Sequence, residues 1–104
     1  MEPVRDVLME IETDIRRVIG DASCDKQSDC AMIVLRGRKA SSFYIAYNRM
    51  TVDEERLMEL VAEYRLAGKI IREREGIFRI MYDPPPPAVI CIGGRCTLVR
   101  LPNR

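Results

Sequence analysis

Periodicity, turn chemistry and length together predict an α+β fold: an antiparallel sheet of about six strands, in the order α-β-β-α-β-β-β-β, with two helices on one face. Two stretches repeat apolar residues at three- and four-residue spacing, the mark of helices that bury one stripe. The other apolar runs are short and are separated by glycine-containing turns, as strands of hairpins are. The 104 residues suit one domain, 1–104, with one core.

The first helix is expected from Pro3 to Ile19. Val4, Val7, Leu8, Ile11, Ile15, Val18 and Ile19 form its stripe, Pro3 suits the first turn and Gly20 the position past the end. A polar loop, Asp21 to Asp29, follows, with Cys24 and Cys30 near its ends. Ala31 to Arg36 reads as a strand buried on both faces and Gly37-Arg38-Lys39 as a turn. Ser42 to Arg49 is the partner strand, with Phe43, Ile45 and Tyr47 on one face and Tyr44, Ala46 and Asn48 on the other.

A capping box, Thr51 with Glu54, starts the second helix, and Gly68 stops it; Leu57, Leu60, Val61 and Tyr64 line one side. Lys69–Arg74 and Ile77–Tyr82 then pair as a hairpin around Glu75-Gly76. Pro84 to Pro87 is a stiff spacer of roughly 12 Å at about 3.1 Å per residue. A last hairpin pairs Ala88–Ile92 with Arg95–Leu101 around Gly93-Gly94. It is apolar on both faces, which makes a subunit interface and a homo-oligomer an expectation.

Composition narrows function. There is no histidine, which removes the commonest general base and metal ligand and excludes Ser/His and Cys/His hydrolases. A non-enzymatic protein without a cofactor or an evident small-molecule substrate is therefore expected. Glu73, Glu75 and Asp83 are the acids beside the basic segments, and their spacing suggests no metal pair for a nuclease. The apolar run Cys30–Leu35 is far short of the roughly 20 residues that span a bilayer, and residues 1–6 lack a signal-peptide pattern, so a cytoplasmic protein is expected. Gln27, Asn48 and Asn103 are the only side-chain amides, and 32% of residues are charged, which fits a hot-living archaeon or its virus. The 14 arginines against 3 lysines also follow from GC-rich codon usage.

Cys24, Cys30, Cys91 and Cys96 leave three arrangements open. Gly93-Gly94 sets Cys91 opposite Cys96 at a non-hydrogen-bonded site, where a cross-strand disulfide fits, and Cys24 with Cys30 closes a short loop worth roughly 2 kcal/mol. Two such structural disulfides are the leading expectation. Free buried thiols and one zinc site shared by all four cysteines are the others. The C-x5-C and C-x4-C spacings match neither a zinc ribbon nor a CxxC redox site.

Charge segregates along the chain. Residues 1–30 carry a net −4, 31–50 +4, 51–68 −3 and 69–104 +4. The helical segments then total −7 and the strand segments +8, so the molecule is expected to be acidic on its helical side and basic on its strands. The hairpin around Glu75-Gly76 sets Arg72 opposite Arg79, with Arg74 on the same face, and such opposed cations call for an anion. Phe43, Tyr44, Tyr47, Phe78 and Tyr82 interleave with Arg36, Arg38, Arg49, Arg72, Arg74 and Arg79. Aromatic faces for bases beside arginines for phosphates are the parts of a single-strand binder. The nucleic-acid-binding residues are therefore expected to be Arg36, Arg38, Tyr44, Arg49, Arg72, Arg74, Phe78 and Arg79, with single-stranded DNA or RNA as partner. Core packing of the aromatics and salt bridging of the arginines to helix carboxylates are the ordinary alternatives.

The stretch Phe43-Tyr44-Ile45-Ala46-Tyr47-Asn48-Arg49, the helix Glu54 to Tyr64, and Arg72-Glu73-Arg74-Glu75-Gly76-Ile77-Phe78-Arg79 resemble the small archaeal ThermoDBP-related single-stranded-DNA-binding proteins. The resemblance covers size, composition and element order, without a diagnostic motif. It implies a cleft for single-stranded DNA or RNA and a dimer or tetramer. The competing reading is a non-catalytic structural or assembly module.

Overall fold

The computed structural model describes residues 6–37, 41–77 and 85–100. Along the chain lie α1 (Val7–Ile19), a short 3-10 turn (Gln27–Asp29), β1 (Cys30–Arg36), β2 (Ser42–Asn48), α2 (Glu54–Glu75), β3 (Ala88–Ile92) and β4 (Arg95–Val99). β1 pairs with β2 and β3 with β4, as two separate two-stranded antiparallel sheets. The fold is α+β, but the six-stranded sheet is absent among the described residues. Pro3, Arg38, Lys39, Phe78, Arg79, Tyr82, Asp83, Pro84 and Leu101 lie outside those residues.

The largest correction is the length of the second helix. Lys69–Arg74 is not a strand; α2 runs on through it to Glu75 and ends at Gly76, whose N–H bonds back to the Arg72 and Glu73 carbonyls. The hairpin around Glu75-Gly76, with Arg72 opposite Arg79, is therefore not formed. Gly68 stops nothing. A Cβ there would lie 2.5 Å from the Arg36 carbonyl oxygen, so the glycine is the point where α2 presses closest on the end of β1. The buried stripe Leu57, Leu60, Val61, Tyr64 and Gly68 passes straight through it to Ile71.

Both helix starts fall later than the sequence suggests. Asp6 caps α1 by accepting from the Met9 N–H at 3.1 Å. Asp53, not Thr51, caps α2, accepting from the Arg56 N–H at 3.1 Å. Glu54 is taken instead by Tyr47, whose hydroxyl donates to it at 2.7 Å. Burial, that hydrogen bond and the Glu54 charge push the Tyr47 pKa up to about 12.

The register Ala31↔Tyr47, Ile33↔Ile45, Leu35↔Phe43 puts these six side chains on one face of β1–β2. Leu8, Ile15 and Ile19 of α1 and Leu57, Leu60, Val61 and Tyr64 of α2 cover that face. Phe43 meets Tyr64 edge to face with centroids 5.9 Å apart. The other face, with Cys30, Met32, Val34, Tyr44 and Ala46, is only partly covered, so β1 is not buried equally on both sides.

The β3–β4 hairpin has the expected turn: Gly93 and Gly94 both take positive φ, and Cys91 faces Cys96. Its cysteines do not pair with each other. Cys24 bonds to Cys91 and Cys30 to Cys96, with Cα–Cα separations of 6.1 and 5.4 Å. The reason is the loop before β1, which pairs with the outer edge of β4. Cys24 donates its N–H to the Gly94 carbonyl and Cys96 to the Ala22 carbonyl, both at 2.8 Å, around a Ser23–Arg95 bridge. The lone glutamine works the opposite edge. Gln27 donates to the Val89 carbonyl at 2.6 Å and accepts from the Cys91 N–H at 2.9 Å, as a neighbouring strand would. Asn48, buried, adds a bond to the Ser23 carbonyl at 2.6 Å and accepts from Met50 N–H at 2.7 Å. The hairpin's apolar residues are thus mostly half-covered within the chain, and Ile92 stays 50% exposed. No helix among the described residues is long and apolar enough to cross a membrane.

Candidate functional site

Extending α2 redistributes the charge. The helix carries six glutamates and five cations, so it is nearly neutral and the acidic-helix, basic-strand polarity does not hold. The separation runs along the helix instead. Its first half holds Glu54, Glu55, Glu59 and Glu63 with Arg56, a net −3; its second holds Arg65, Lys69, Arg72 and Arg74 with Glu73 and Glu75, a net +2. This order suits the helix dipole, and it brings the cations beside the end of β1.

There α2 covers the free edge of β1. Arg65 and Arg72 are seven residues apart, two turns on one side of the helix. Arg65 donates Nε and Nη2 to the Val34 carbonyl at 3.2 and 2.9 Å. Arg72 donates Nη1 to the Arg36 and Gly37 carbonyls at 2.9 and 2.7 Å. These bonds satisfy peptide oxygens that would otherwise form an open strand edge. They also hold two guanidinium groups in place with neutral acceptors, so no positive charge is cancelled. A guanidinium has five N–H donors, so each keeps capacity for an anion.

The result is a groove of about 370 Å³ lined by Val34, Leu35, Arg36, Ser42, Arg65, Lys69 and Arg72. Burial first, and then the nearby Arg36 charge, lower the Arg72 pKa below the ordinary arginine value, with Glu73 opposing. Cation has been placed beside cation. Ser42 also lines a second depression with Phe43, Tyr44, Pro87, Leu98 and Arg100, so the basic groove continues onto an aromatic surface.

The expected binding residues therefore separate. Arg36 and Arg72 line the groove, and Tyr44 lies in the adjoining depression. Arg74 is exposed on α2 but does not line the groove. Arg49 follows the far end of β2 and is exposed. Arg38, Phe78 and Arg79 lie outside the described residues. Arg65, Lys69 and Ser42 were not anticipated, although the seven-residue step from Arg65 to Arg72 marks them as neighbours once the helix is known to continue. Arg16, Arg17 and Arg56 form ordinary surface ion pairs with Glu12, Asp14 and Glu59.

Among the described residues, one group brings three metal-ligating atoms together, and it consists of Cys24, Cys30 and Cys96 rather than carboxylates. Comparison with protein-family models, curated proteins and solved structures finds no match to this chain.

Proposed function

We propose that the chain binds a single strand of DNA or RNA, with backbone phosphates in the Arg36–Arg65–Lys69–Arg72 groove and a base against Tyr44 in the adjoining depression. The supporting observation is the groove itself: four cations converge there, and two of them are oriented by carbonyl oxygens instead of carboxylates. A fork of guanidinium groups fits the oxygens of a phosphate in bidentate fashion.

Fluorescence anisotropy with a labelled oligothymidylate tests this. Four phosphate contacts give a log–log salt slope near −3, so raising salt from 50 to 200 mM weakens binding roughly 50-fold. An affinity indifferent to salt, or none at 50 mM, contradicts the proposal.

A second reading, assembly, is favoured by one observation. Met58, Ala62, Leu66 and Ile70 recur every fourth residue along α2, and all face solvent, Leu66 being 60% exposed. In an antiparallel pair of α2 helices from two copies, Met58 meets Ile70 and Ala62 meets Leu66. Glu59 and Glu63 then fall opposite Lys69 and Arg65 of the second copy. Light scattering is expected to give a dimer mass that Leu66→Glu returns to a monomer. A wild-type monomer at high concentration removes this reading.

A further inference from the structure

The four cysteines converge from three parts of the chain onto one point. Cys91 and Cys96 face each other across the β3–β4 hairpin, so their side chains emerge side by side. Cys24 and Cys30, from either end of the loop that holds Gln27, bond to them from outside. The sulfurs of Cys24, Cys30 and Cys96 all lie within 4.8 Å of one another, and the fourth sulfur, of Cys91, is bonded to Cys24. Cys24 and Cys96 are both 7% exposed.

Zinc bound by four thiolates sits about 2.3 Å from each sulfur, which places the sulfurs roughly 3.8 Å apart at the corners of a tetrahedron. Cys24, Cys30 and Cys96 are already close to that spacing. The two bonded pairs open, and Cys91, released from Cys24, swings in as the fourth corner. The backbone is already held around the cluster by the Cys24–Gly94, Cys96–Ala22 and Gln27–Cys91 hydrogen bonds.

From this geometry we infer that the reduced chain carries a tetrathiolate site for one zinc-class cation, formed by Cys24, Cys30, Cys91 and Cys96. The cysteine cluster thus has two cross-linked forms, one with two disulfides and one with a metal. A phosphine reductant takes the disulfide form to free thiols stoichiometrically. Each disulfide accepts two electrons from one phosphine, which becomes a phosphine oxide with oxygen from water, and two thiols result. Zn²⁺ then displaces the four thiol protons as it takes up four thiolates. Because both forms tie the β3–β4 hairpin to the loop before β1, metal uptake restores what reduction removes.

Cobalt(II) is the direct probe, since tetrahedral thiolate ligation gives intense sulfur-to-cobalt absorption. The full chain, reduced by phosphine under argon, is expected to take up one cobalt per chain with that spectrum, and zinc displaces it. Zinc also raises the melting temperature of the reduced chain and blocks all four thiols from a thiol reagent. Cys24→Ser weakens cobalt uptake at least tenfold, and Cys24→Ser with Cys91→Ser abolishes the charge-transfer bands. Four thiols that stay reactive in the presence of equimolar zinc, with no cobalt spectrum, overturn the inference. So does cobalt uptake that survives loss of the Cys24/Cys91 pair. Both measurements on the wild-type chain stand whether or not the variants fold.

Discussion

Reducing both disulfides in the presence of a chelator is expected to lower the melting temperature by roughly 30 °C, or to leave no cooperative transition at all. The disulfides span 67 and 66 residues of sequence, ten times the loop that a Cys24–Cys30 bond would close. In the chain-entropy model the first is worth about 4 kcal/mol. The second adds less, because the first already brings its ends together; it closes a ring of roughly a dozen residues and contributes about 3 kcal/mol. Their sum is comparable with the whole stability of a typical domain, about 5–15 kcal/mol. The hairpin has little else of that size to hold it, since its strands are mostly half-covered and only Cys96 is buried. Calorimetry with and without phosphine checks this. A shift of only a few degrees would mean that the hairpin packs independently of its cross-links.

Gly68→Ala is expected to destabilise the chain by about 3 kcal/mol, the reverse of what alanine does inside most helices. Exchanging an interior glycine for alanine ordinarily gains about 1 kcal/mol. Here the new Cβ would lie 2.5 Å from the Arg36 carbonyl oxygen and 3.0 Å from Arg72 Nη1. The carbonyl is main chain in a paired strand and cannot swing aside as a long side chain would. α2 must move off β1, at an overpacking cost of about 1–3 kcal/mol. The charge-assisted bonds from Arg72 to Arg36 and Gly37 then lengthen, and such bonds are worth about 1.5–3 kcal/mol each. Urea denaturation measures the difference. A more stable variant would show that α2 does not press on the β1 edge, and the groove built on that contact would lose its frame.

What was legible in the sequence follows from how local each signal is. The α1 stripe from Leu8 to Ile19, the β1–β2 pairing and the Gly93-Gly94 turn depend on periodicity and turn chemistry within a few residues, and each is found, although Val7 is exposed and Val4 lies outside the described residues. The misread features depend on partners distant in sequence. Gly68 looks like a helix stop because a glycine at a helix end and a glycine under a neighbouring carbonyl are the same letter. Ile70 and Ile71 are β-branched, as strand residues often are, yet Ile71 continues the helical stripe. Thr51–Glu54 has capping-box spacing, but Glu54 is claimed by Tyr47 from β2. The disulfide pairing turns on where the loop 21–29 lies, and nothing in that loop announces that it borders β4.

The candidate site was legible in kind more than in place. An excess of arginine near aromatic strands marks a basic, partly aromatic surface, and Arg36, Arg72 and Tyr44 do fall on it. The opposition of Arg72 to Arg79 was an artefact of the wrong element. In its place Arg72 meets Arg36 by running along the strand edge, a contact across 36 residues. Substituting Arg72 is consequently a poor probe of binding, because its guanidinium also holds the fold.

Lys69 is the better probe: it lines the groove, is exposed, and makes none of the bonds that seat α2 on β1. The decisive measurement compares Lys69→Glu with Arg49→Glu, an equal change of charge on the far end of β2, in oligothymidylate binding at 50 mM salt. Lys69→Glu is expected to weaken binding at least tenfold with unchanged melting temperature, and Arg49→Glu by about twofold or less. Equal losses would mean that only overall charge attracts the strand, and they would contradict a binding groove between α2 and β1.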